Sequence, residues 1–137
     1  MFARILAVHD GKDTSLRAFT VALDLATRYG AHLHLIYVET VPAFALADVA
    51  ADGEPSSREE CTEVRRMKQL ARFKNVALAI HHTEGRPART IEEFADAHRF
   101  DLIVIPYSAY ARFYDPMIGN VAARVVNLAE RSVLVVK

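Results

Sequence analysis

The chain has 137 residues, of which 52% are hydrophobic and 25% charged, and these values suit a soluble globular protein of one domain spanning residues 1–137. Seventeen basic and seventeen acidic residues cancel, so no net field attracts nucleic acid or an anionic membrane. The single cysteine, Cys61, excludes an internal disulfide framework, and no apolar run is long enough to span a membrane. We therefore expect a cytoplasmic protein that has no nucleic-acid or membrane partner.

The first part of the chain alternates apolar runs with a helical pattern. Residues 4–9 predict a buried strand, and residues 13–29 predict a helix with Asp13 or Thr14 as N-cap and Gly30 just past its end. Residues 31–39 predict a second strand with apolar side chains on both faces. One face carries Leu33, Leu35 and Tyr37, and the other carries His34, Ile36 and Val38. Residues 40–57 show no clear period and predict an irregular segment.

The second part of the chain continues the alternation. Ser57 followed by Glu60 resembles a capping box that opens a polar helix running to Phe73. Pro87 suits the first turn of a third helix. The remaining elements are predicted strands at 75–82, 101–105 and 132–137 and a helix at 117–130. Strands that alternate with helices predict an α/β fold, an open doubly wound five-stranded parallel sheet with helices on both faces.

In such a sheet, ligands bind at the carboxyl ends of the strands, where the strand order reverses. This rule directs attention to His9 and Asp10 after the first strand, to Val38 on the second, and to residues 106–120 after the fourth. His9, beside the predicted cleft, is either a pH-sensitive group or a hydrogen-bonded structural histidine. Asp10 is either a ligand contact or an acid that caps the following turn.

The order and spacing of three stretches resemble the universal stress protein family over essentially the full chain. They are "ILAVHDGKDTSLRAFTVALDLATRYGAHLHLIYV", "EGRPARTIEEFADAHRFDLIVI" and "GNVAARVVNLAERSVLVVK". The resemblance implies an adenine nucleotide alpha hydrolase-like sheet with strand order 3-2-1-4-5. It also implies a homodimer formed through the last strand, here Ser132 to Lys137. That strand is apolar and would lie at the sheet edge, where pairing with a second copy covers it.

Nucleotide-binding members of this family carry G-x2-G-x9-G-[S/T] after the fourth strand. The same spacing falls here on Pro106, Ala109, Gly119 and Asn120, so the loop keeps its length but loses two glycines and the hydroxyl. Glycine lets backbone N–H groups approach phosphate oxygens where a Cβ would clash, and proline has no N–H to offer. The loop also gains bulk that can fill the cleft, from Tyr107, Tyr110, Phe113 and Tyr114. Asp115, before Pro116, suits an N-cap of the following helix.

Other residues of the cleft favour a nucleotide. The resemblance places Asp10 at the adenine-contacting aspartate of the family and Val38 at its partner on the second strand. Gly119, Asn120 and Val121 offer backbone N–H groups at a helix start, and Arg112 offers a cation for phosphate. An adenine end without a triphosphate cradle would suit adenosine or AMP.

Catalytic, metal and signalling alternatives have weaker support. Ser108 follows a strand but lacks both glycines of a nucleophile elbow, and "GKDT" at residues 11–14 fails the P-loop pattern. Alternating histidines, at positions 32, 34, 81 and 82, lack companion carboxylates at metal-ligand spacing. Cys61 lies beside acidic residues that disfavour a thiolate. A phosphoacceptor receiver domain would need more carboxylates at the strand ends than Asp10 provides.

The sequence therefore predicts a universal stress protein with a degenerate nucleotide motif and no metal site. We expect a homodimeric, non-catalytic stress-response or regulatory module that acts on an unidentified protein partner. No cofactor is expected, and ATP binding in the usual family manner is not expected. The alternative is an adenine-nucleotide sensor for AMP or ATP, or a slow ATPase with a nonstandard phosphate loop.

Overall fold

A computed structural model describes residues 1–40, 61–117 and 119–137 of the chain. Within these residues, five strands alternate with four α-helices. The elements are β1 (Arg4–His9), α1 (Thr14–Tyr29), β2 (His32–Glu39), α2 (Thr62–Phe73), β3 (Leu78–Glu84), α3 (Pro87–Ala97), β4 (Leu102–Pro106), α4 (Val121–Leu128) and β5 (Ser132–Val136). A 3₁₀ turn, Ala111–Phe113, lies between β4 and α4.

The five strands form one parallel sheet in the order β3-β2-β1-β4-β5. The predicted α/β class and the strand order 3-2-1-4-5 are both confirmed. The order reverses between β1 and β4, so the carboxyl ends of these two strands border the crevice where such folds bind ligands. His9 ends β1 and Pro106 ends β4.

Two hydrophobic layers hold the helices against the sheet. Helices α3 and α4 cover the face that carries Ile36 and Val38 of β2, and α1 and α2 cover the face that carries Leu33 and Leu35. Alternate residues of β2 thus face opposite cores, as the sequence pattern predicts. Strand β4 is buried at all five positions, as a central strand covered on both sides must be.

The helix boundaries agree with the sequence in some places and differ in others. Gly30 ends α1 in the left-handed conformation, with φ of +63°, and Pro87 occupies the first turn of α3, as predicted. Helix α2 begins at Thr62, and the predicted capping box of Ser57 and Glu60 lies outside the described residues, as does most of the predicted irregular segment. None of the described helices is long and apolar enough to cross a membrane.

Two predicted boundaries are wrong for identifiable reasons. Strand β3 begins at Leu78 because Asn75 adopts a left-handed conformation after α2, with φ of +56°, and the N–H of Val76 returns to the Ala71 carbonyl. Helix α4 begins at Val121 instead of residue 117. The backbone ahead of it is held in a different arrangement, described below.

Candidate functional site

The candidate site lies at the carboxyl ends of β1, β2 and β4. Asp10 follows β1 directly, and its carboxylate accepts three hydrogen bonds from within the chain. Oδ1 accepts hydrogen bonds from the Lys12 N–H at 3.0 Å and from the Ser15 hydroxyl at 2.7 Å. Oδ2 accepts one from the Tyr110 N–H at 3.3 Å. Asp10 therefore closes the turn into α1 and also ties that turn to the loop after β4.

Tyr110 fills the space between these strand ends. Its side chain is buried, and its hydroxyl accepts a hydrogen bond from the Val38 N–H at 2.9 Å and donates one to the His9 carbonyl at 3.1 Å. Burial, more than any neighbouring charge, raises the pKa of the Tyr110 phenol above its usual value. The phenol therefore stays protonated and keeps both hydrogen bonds throughout the physiological pH range.

Of the four aromatic residues expected to bulk up the loop, only Tyr110 is buried. Tyr107 and Tyr114 are exposed, and Phe113 is half-buried at the edge of the core. Tyr110 also adopts the left-handed conformation, with φ of +55°, which turns its side chain inward. The sequence indicates aromatic bulk in this loop, but it does not distinguish Tyr110 from its neighbours, because no pattern signals a left-handed tyrosine.

The two residues that replace motif glycines are structural. Pro106 is the last residue of β4 and pairs with Val136 of β5. Ala109 is completely buried in the core beneath α3 and α4, and its N–H donates to the Pro106 carbonyl at 3.0 Å. The Ala109 N–H thus bonds within the chain, and the methyl group packs in the core.

Asp115 and Gly119 form an isolated antiparallel bridge. The Gly119 N–H donates to the Asp115 carbonyl at 2.7 Å, and the Asp115 N–H donates to the Gly119 carbonyl at 3.0 Å. The predicted role of Asp115 as N-cap is wrong, because its carboxylate instead accepts from the Met117 N–H and lies 3.9 Å from Arg124. Gly119 needs its φ of +95° for this bridge, so the glycine that the motif shares is used to close the loop.

Asn120 is the N-cap of α4. Its Oδ1 accepts from the Ala123 N–H at 2.8 Å, and its Nδ2 donates to the Tyr107 carbonyl at 3.1 Å. Val121, the first residue of α4, is fully buried in the core. The Asn120 side chain therefore satisfies one of the N–H groups that are left without a partner inside the first turn of α4.

Arg112 lies on the outer side of the same loop. Its guanidinium donates to the Thr40 hydroxyl at 2.7 Å and lies 5.3 Å from the centre of the Phe113 ring. Because the side chain is exposed, it can leave these partners for an anion at modest cost. It is the residue of the loop best able to meet a phosphate group.

Beneath Tyr110, His9 contacts a group that sequence reasoning does not pair with it. His9 is buried, its Nε2 lies 3.5 Å from the Cys61 sulfur, and its Nδ1 has no hydrogen-bond partner among the described residues. Burial lowers the pKa of His9, while Asp10 and Glu63 partly offset that effect. His9 and Cys61 lie 52 positions apart in the chain, so no local sequence pattern predicts their contact.

The described residues also show what surrounds Ser108 and the alternating histidines, the two weaker alternatives from the sequence. A cavity of about 320 Å³ beside Ser108 is lined by seven residues, none of them a histidine or an acid: Thr14, Arg17, Pro106, Tyr107, Ser108, Val136 and Lys137. Within residues 1–40, 61–117 and 119–137, no group of three or more His, Cys, Asp or Glu side chains is placed to hold a metal ion. His34 and His81 instead pair with each other under α3.

Comparison with known proteins agrees with this architecture. The model of the universal stress protein family matches residues 1–137. A universal stress protein of Methanocaldococcus jannaschii is 33% identical over 141 residues, which cover 100% of this chain and 83% of that protein. The crystal structure of a universal stress protein in complex with cAMP has a TM-score of 0.77 at 19% identity, and the two chains are covered to 99% and 97%.

A universal stress protein of Archaeoglobus fulgidus in complex with dAMP has the same fold. Its TM-score is 0.61 at 21% identity, and 100% of this chain and 98% of that one are covered. The family match over the whole length, the identity to the Methanocaldococcus protein and the shared sheet lead to one conclusion. The chain belongs to the universal stress protein family.

Proposed function

We propose that this universal stress protein is a non-catalytic stress-response module that does not bind ATP in the usual manner of its family. It acts as a homodimer on a regulatory protein partner. The observation that carries the proposal is the position of Tyr110, whose buried phenol already uses the Val38 N–H and the His9 carbonyl. A ligand that used these two backbone groups would first have to displace the phenol.

The phosphate end of the cleft supports the same proposal. A phosphate loop holds anions with several free N–H groups that converge on one point. Here the Ala109 and Gly119 N–H groups bond to carbonyls, and the Asn120 side chain takes the Ala123 N–H at the start of α4. Binding a triphosphate would first require these bonds to break.

Thermal unfolding in the presence of ATP and Mg²⁺ tests this proposal. A ligand that binds only the folded protein at about 100 times its Kd stabilises it by about 2.7 kcal/mol, a shift of several degrees in Tm. We expect no shift with ATP and Mg²⁺ and no phosphate release above the protein-free blank. A concentration-dependent rise in Tm, or ATP carried through purification and seen by native mass spectrometry, would contradict the proposal.

A second candidate is a sensor of AMP or of another adenine nucleotide. The family resemblance assigns adenine contacts to Asp10 and Val38, and the two structural neighbours above were solved in complex with cAMP and dAMP. Arg112 supports this candidate, because an exposed guanidinium can replace backbone donors for a single phosphate.

The same unfolding assay separates the two candidates. If the protein is an AMP sensor, AMP raises Tm more than adenosine does, and Arg112→Ala removes that difference. Arg28→Ala is the matched control, because Arg28 is an exposed arginine in the last turn of α1, outside the cleft. Equal and negligible effects of AMP and adenosine would exclude the second candidate and leave the first.

The proposed dimer rests on the free edge of the sheet. Strand β5 pairs only with β4 among the described strands, so its outer backbone groups are open to a further strand. Leu134, in the middle of β5, remains 36% exposed, and Val126 and Leu128 of α4 are also exposed. Pairing with a second copy would satisfy the edge and cover these apolar side chains.

A further inference from the structure

We propose that Cys61 and His9 form a reactive thiol site, in which the imidazole accepts the thiol proton while the sulfur attacks hydrogen peroxide. The product is a sulfenic acid on Cys61. The reaction is a stoichiometric modification of the protein, not a catalytic turnover, and it gives the chain a group that responds to oxidation.

The site lies on the other face of the sheet from the Tyr110 phenol. His9 alternates along β1 with Ile5 and Ala7, which pack in the core under α1 and α2. Tyr110 belongs to the core under α3 and α4. Cys61 directly precedes α2. The thiol and the imidazole ring are therefore separated by the sheet from the Tyr110 phenol.

The imidazole is placed to accept the thiol proton. His9 is 1% exposed, and its Nε2 lies 3.5 Å from the Cys61 sulfur, a hydrogen-bond distance for sulfur. Sulfur is a weak acceptor, so the thiol donates and Nε2 accepts. Burial lowers the pKa of His9, which keeps the ring neutral and able to take a proton at neutral pH. A nucleophile within hydrogen-bond reach of such a base is an activated nucleophile.

The other ring nitrogen of His9 also points to a functional role. Nδ1 is buried and has no hydrogen-bond partner within the described parts of the chain. A buried polar atom that is left unpaired costs free energy, and in native proteins it calls for an explanation such as a redox or catalytic role. Among the described residues, the ring's hydrogen bond is the one to Cys61. The thiol is therefore the group that the buried imidazole serves.

The charges around the pair favour the proton transfer. Asp10 and Glu63 partly offset the effect of burial on His9, so they stabilise the imidazolium that forms when the thiol proton moves. Cys61 is the N-cap residue of α2, next to the unpaired N–H groups of the first turn, and the positive end of a helix stabilises a thiolate. The acidic residues that precede Cys61 disfavour a thiolate, but the fold supplies a base that the local sequence lacks.

The reaction balances with hydrogen peroxide as the only co-reactant. The sulfur attacks one peroxide oxygen, the O–O bond breaks, and the departing hydroxide takes the proton from the imidazolium to become water. The sulfur loses two electrons, which the peroxide gains. Cys61 is only partly exposed, and its acidic neighbours repel anions. A small neutral oxidant therefore fits the site better than a bulky anionic disulfide.

The rate of thiol loss in hydrogen peroxide, with dimedone present to trap sulfenic acid, tests the site. Because Cys61 is the single cysteine, every adduct reports on it. A free thiol is only a few per cent thiolate at pH 7, so activation accelerates its reaction by about 10-fold. We expect the folded protein to react about 10-fold faster than the same chain unfolded in urea. A folded rate no higher than the rate in urea would overturn the inference.

The pH profile tests whether His9 is the base. In wild type the rate should stay level between about pH 6.5 and 8, because the pair as a whole keeps one shared proton there. In His9→Gln the rate should fall about 10-fold at pH 7 and rise with pH, as it does for a free thiol. The other titratable groups beside the ring, Asp10, Glu63 and Tyr37, are present in both proteins, so they do not account for a difference. Parallel profiles would overturn the role of His9.

Two further variants serve as controls. His32→Gln changes an exposed histidine at the start of β2, at the other end of the sheet, and should keep the wild-type rate and profile. An equal slowing in His32→Gln would overturn the assignment of the base. Cys61→Ser should give no dimedone adduct. Circular dichroism establishes that each variant is folded.

The wild-type protein alone also tests the site if His9→Gln does not fold. A wild-type rate that rises about 10-fold per pH unit between about pH 6.5 and 8 is the behaviour of a free thiol and would overturn the inference. Nucleotide binding enters none of these measurements, so their outcome is independent of the proposed function.

Discussion

The imidazole rings of His34 and His81 lie parallel across β2 and β3, with the His34 Nδ1 2.8 Å from the His81 Nε2. At that distance one ring must donate a proton and the other must accept it, so at least one imidazole is neutral in this arrangement. The His98 ring, at the end of α3, also stacks against His81, and the Arg4 guanidinium lies over the neighbouring Phe100 ring. Protonation of His34 or His81 is therefore disfavoured by the positive groups around them.

This histidine pair predicts a loss of stability in mild acid. Burial and the neighbouring positive groups lower the pKa of His34 from 6.5 to about 4, and burial also lowers the pKa of His81. Because the unfolded chain binds more protons than the folded protein between pH 6.5 and about 4, stability falls as the pH falls through that window. The pair is only half-buried, so after solvent screening we expect a loss of about 1 kcal/mol.

Urea unfolding at pH 7, 5.5 and 4.5 measures this effect. Acidic residues also contribute to acid sensitivity, so the comparison is between wild type and a double variant, His34→Gln with His81→Gln. The double variant should lose about 1 kcal/mol less than wild type over this range. His82→Gln, on the opposite and exposed face of β3, should follow the wild-type curve. Parallel curves for wild type and the double variant would show that the pair has no such role.

Strand β2 shows how far sequence reasoning reaches in this protein. The alternation of its side chains predicts which residues face each core, and Leu33 and Val38 lie in opposite layers as expected. The alternation of apolar side chains and the succession of strands and helices are local properties, so they can be predicted from the sequence. The strand order itself followed from the resemblance to a known family, and the structure confirms it.

The site was only partly predictable, because its decisive contacts are long-range. Asp10 and Val38 were expected at the cleft, yet Tyr110 meets them from 100 and 72 positions away. The start of α4 was misplaced because a bridge between Asp115 and Gly119 competes with helix formation. The Tyr110 contacts have no local signature, because their groups meet only after folding. The bridge is local, but it depends on the positive φ of Gly119, which the sequence pattern does not specify.

We expect substitution of Arg131, which contacts the C-terminal end of α3, to reduce the free energy of unfolding strongly. Its guanidinium donates to the carbonyls of Ala95 and Phe100 and to the carboxylates of Glu92 and Asp96, at distances of 2.9 to 3.3 Å. The Arg131 side chain is only 12% exposed and that of Glu92 only 16%, so Arg131→Met leaves the Glu92 carboxylate without this donor in a poorly hydrated place. The Asp96 side chain is 74% exposed, and water can replace the donor there. We expect a loss of about 2 to 4 kcal/mol in the free energy of unfolding.

Chemical denaturation of two variants checks this estimate. Arg89→Met is the matched control, since Arg89 is 73% exposed and forms a simple pair with Glu93 on the same helix. We expect that control to change the free energy of unfolding by less than about 0.5 kcal/mol. Similar losses for the two variants would mean that the Arg131 network contributes no more than a surface ion pair.

We also expect substitution of Gly85, between β3 and α3, to destabilise the protein. Its φ of +148° is disfavoured for other residues, and a Cβ there would collide with the Thr90 hydroxyl. Gly85→Ala should therefore cost about 2 kcal/mol, whereas Gly30→Ala, where no atom lies within 4 Å of the added Cβ, should cost about 1 kcal/mol. Thermal unfolding of both variants measures the difference. Equal costs would show that Thr90 moves aside freely.

The open edge of the sheet predicts the effect of a charge placed on β5. In the proposed dimer, Leu134 lies at the centre of the strand that pairs with its own copy. Leu134→Asp would bring two carboxylates together across the interface and remove apolar contact from both chains, so we expect the variant to be monomeric. Light scattering after size exclusion should give the mass of two chains for wild type and of one chain for the variant.

Phe73→Asp is the matched control for this experiment. Phe73 is 81% exposed at the end of α2. This helix leads into β3, at the opposite edge of the sheet from β5, so an aspartate there removes apolar surface away from the proposed interface. It should leave the mass at two chains. A monomeric wild type would refute the proposed dimer. A dimer that persists in Leu134→Asp and dissociates in Phe73→Asp would place the interface elsewhere. In either case the unpaired backbone N–H and carbonyl groups at the outer edge of β5 would need another partner, because an exposed apolar strand edge promotes aggregation.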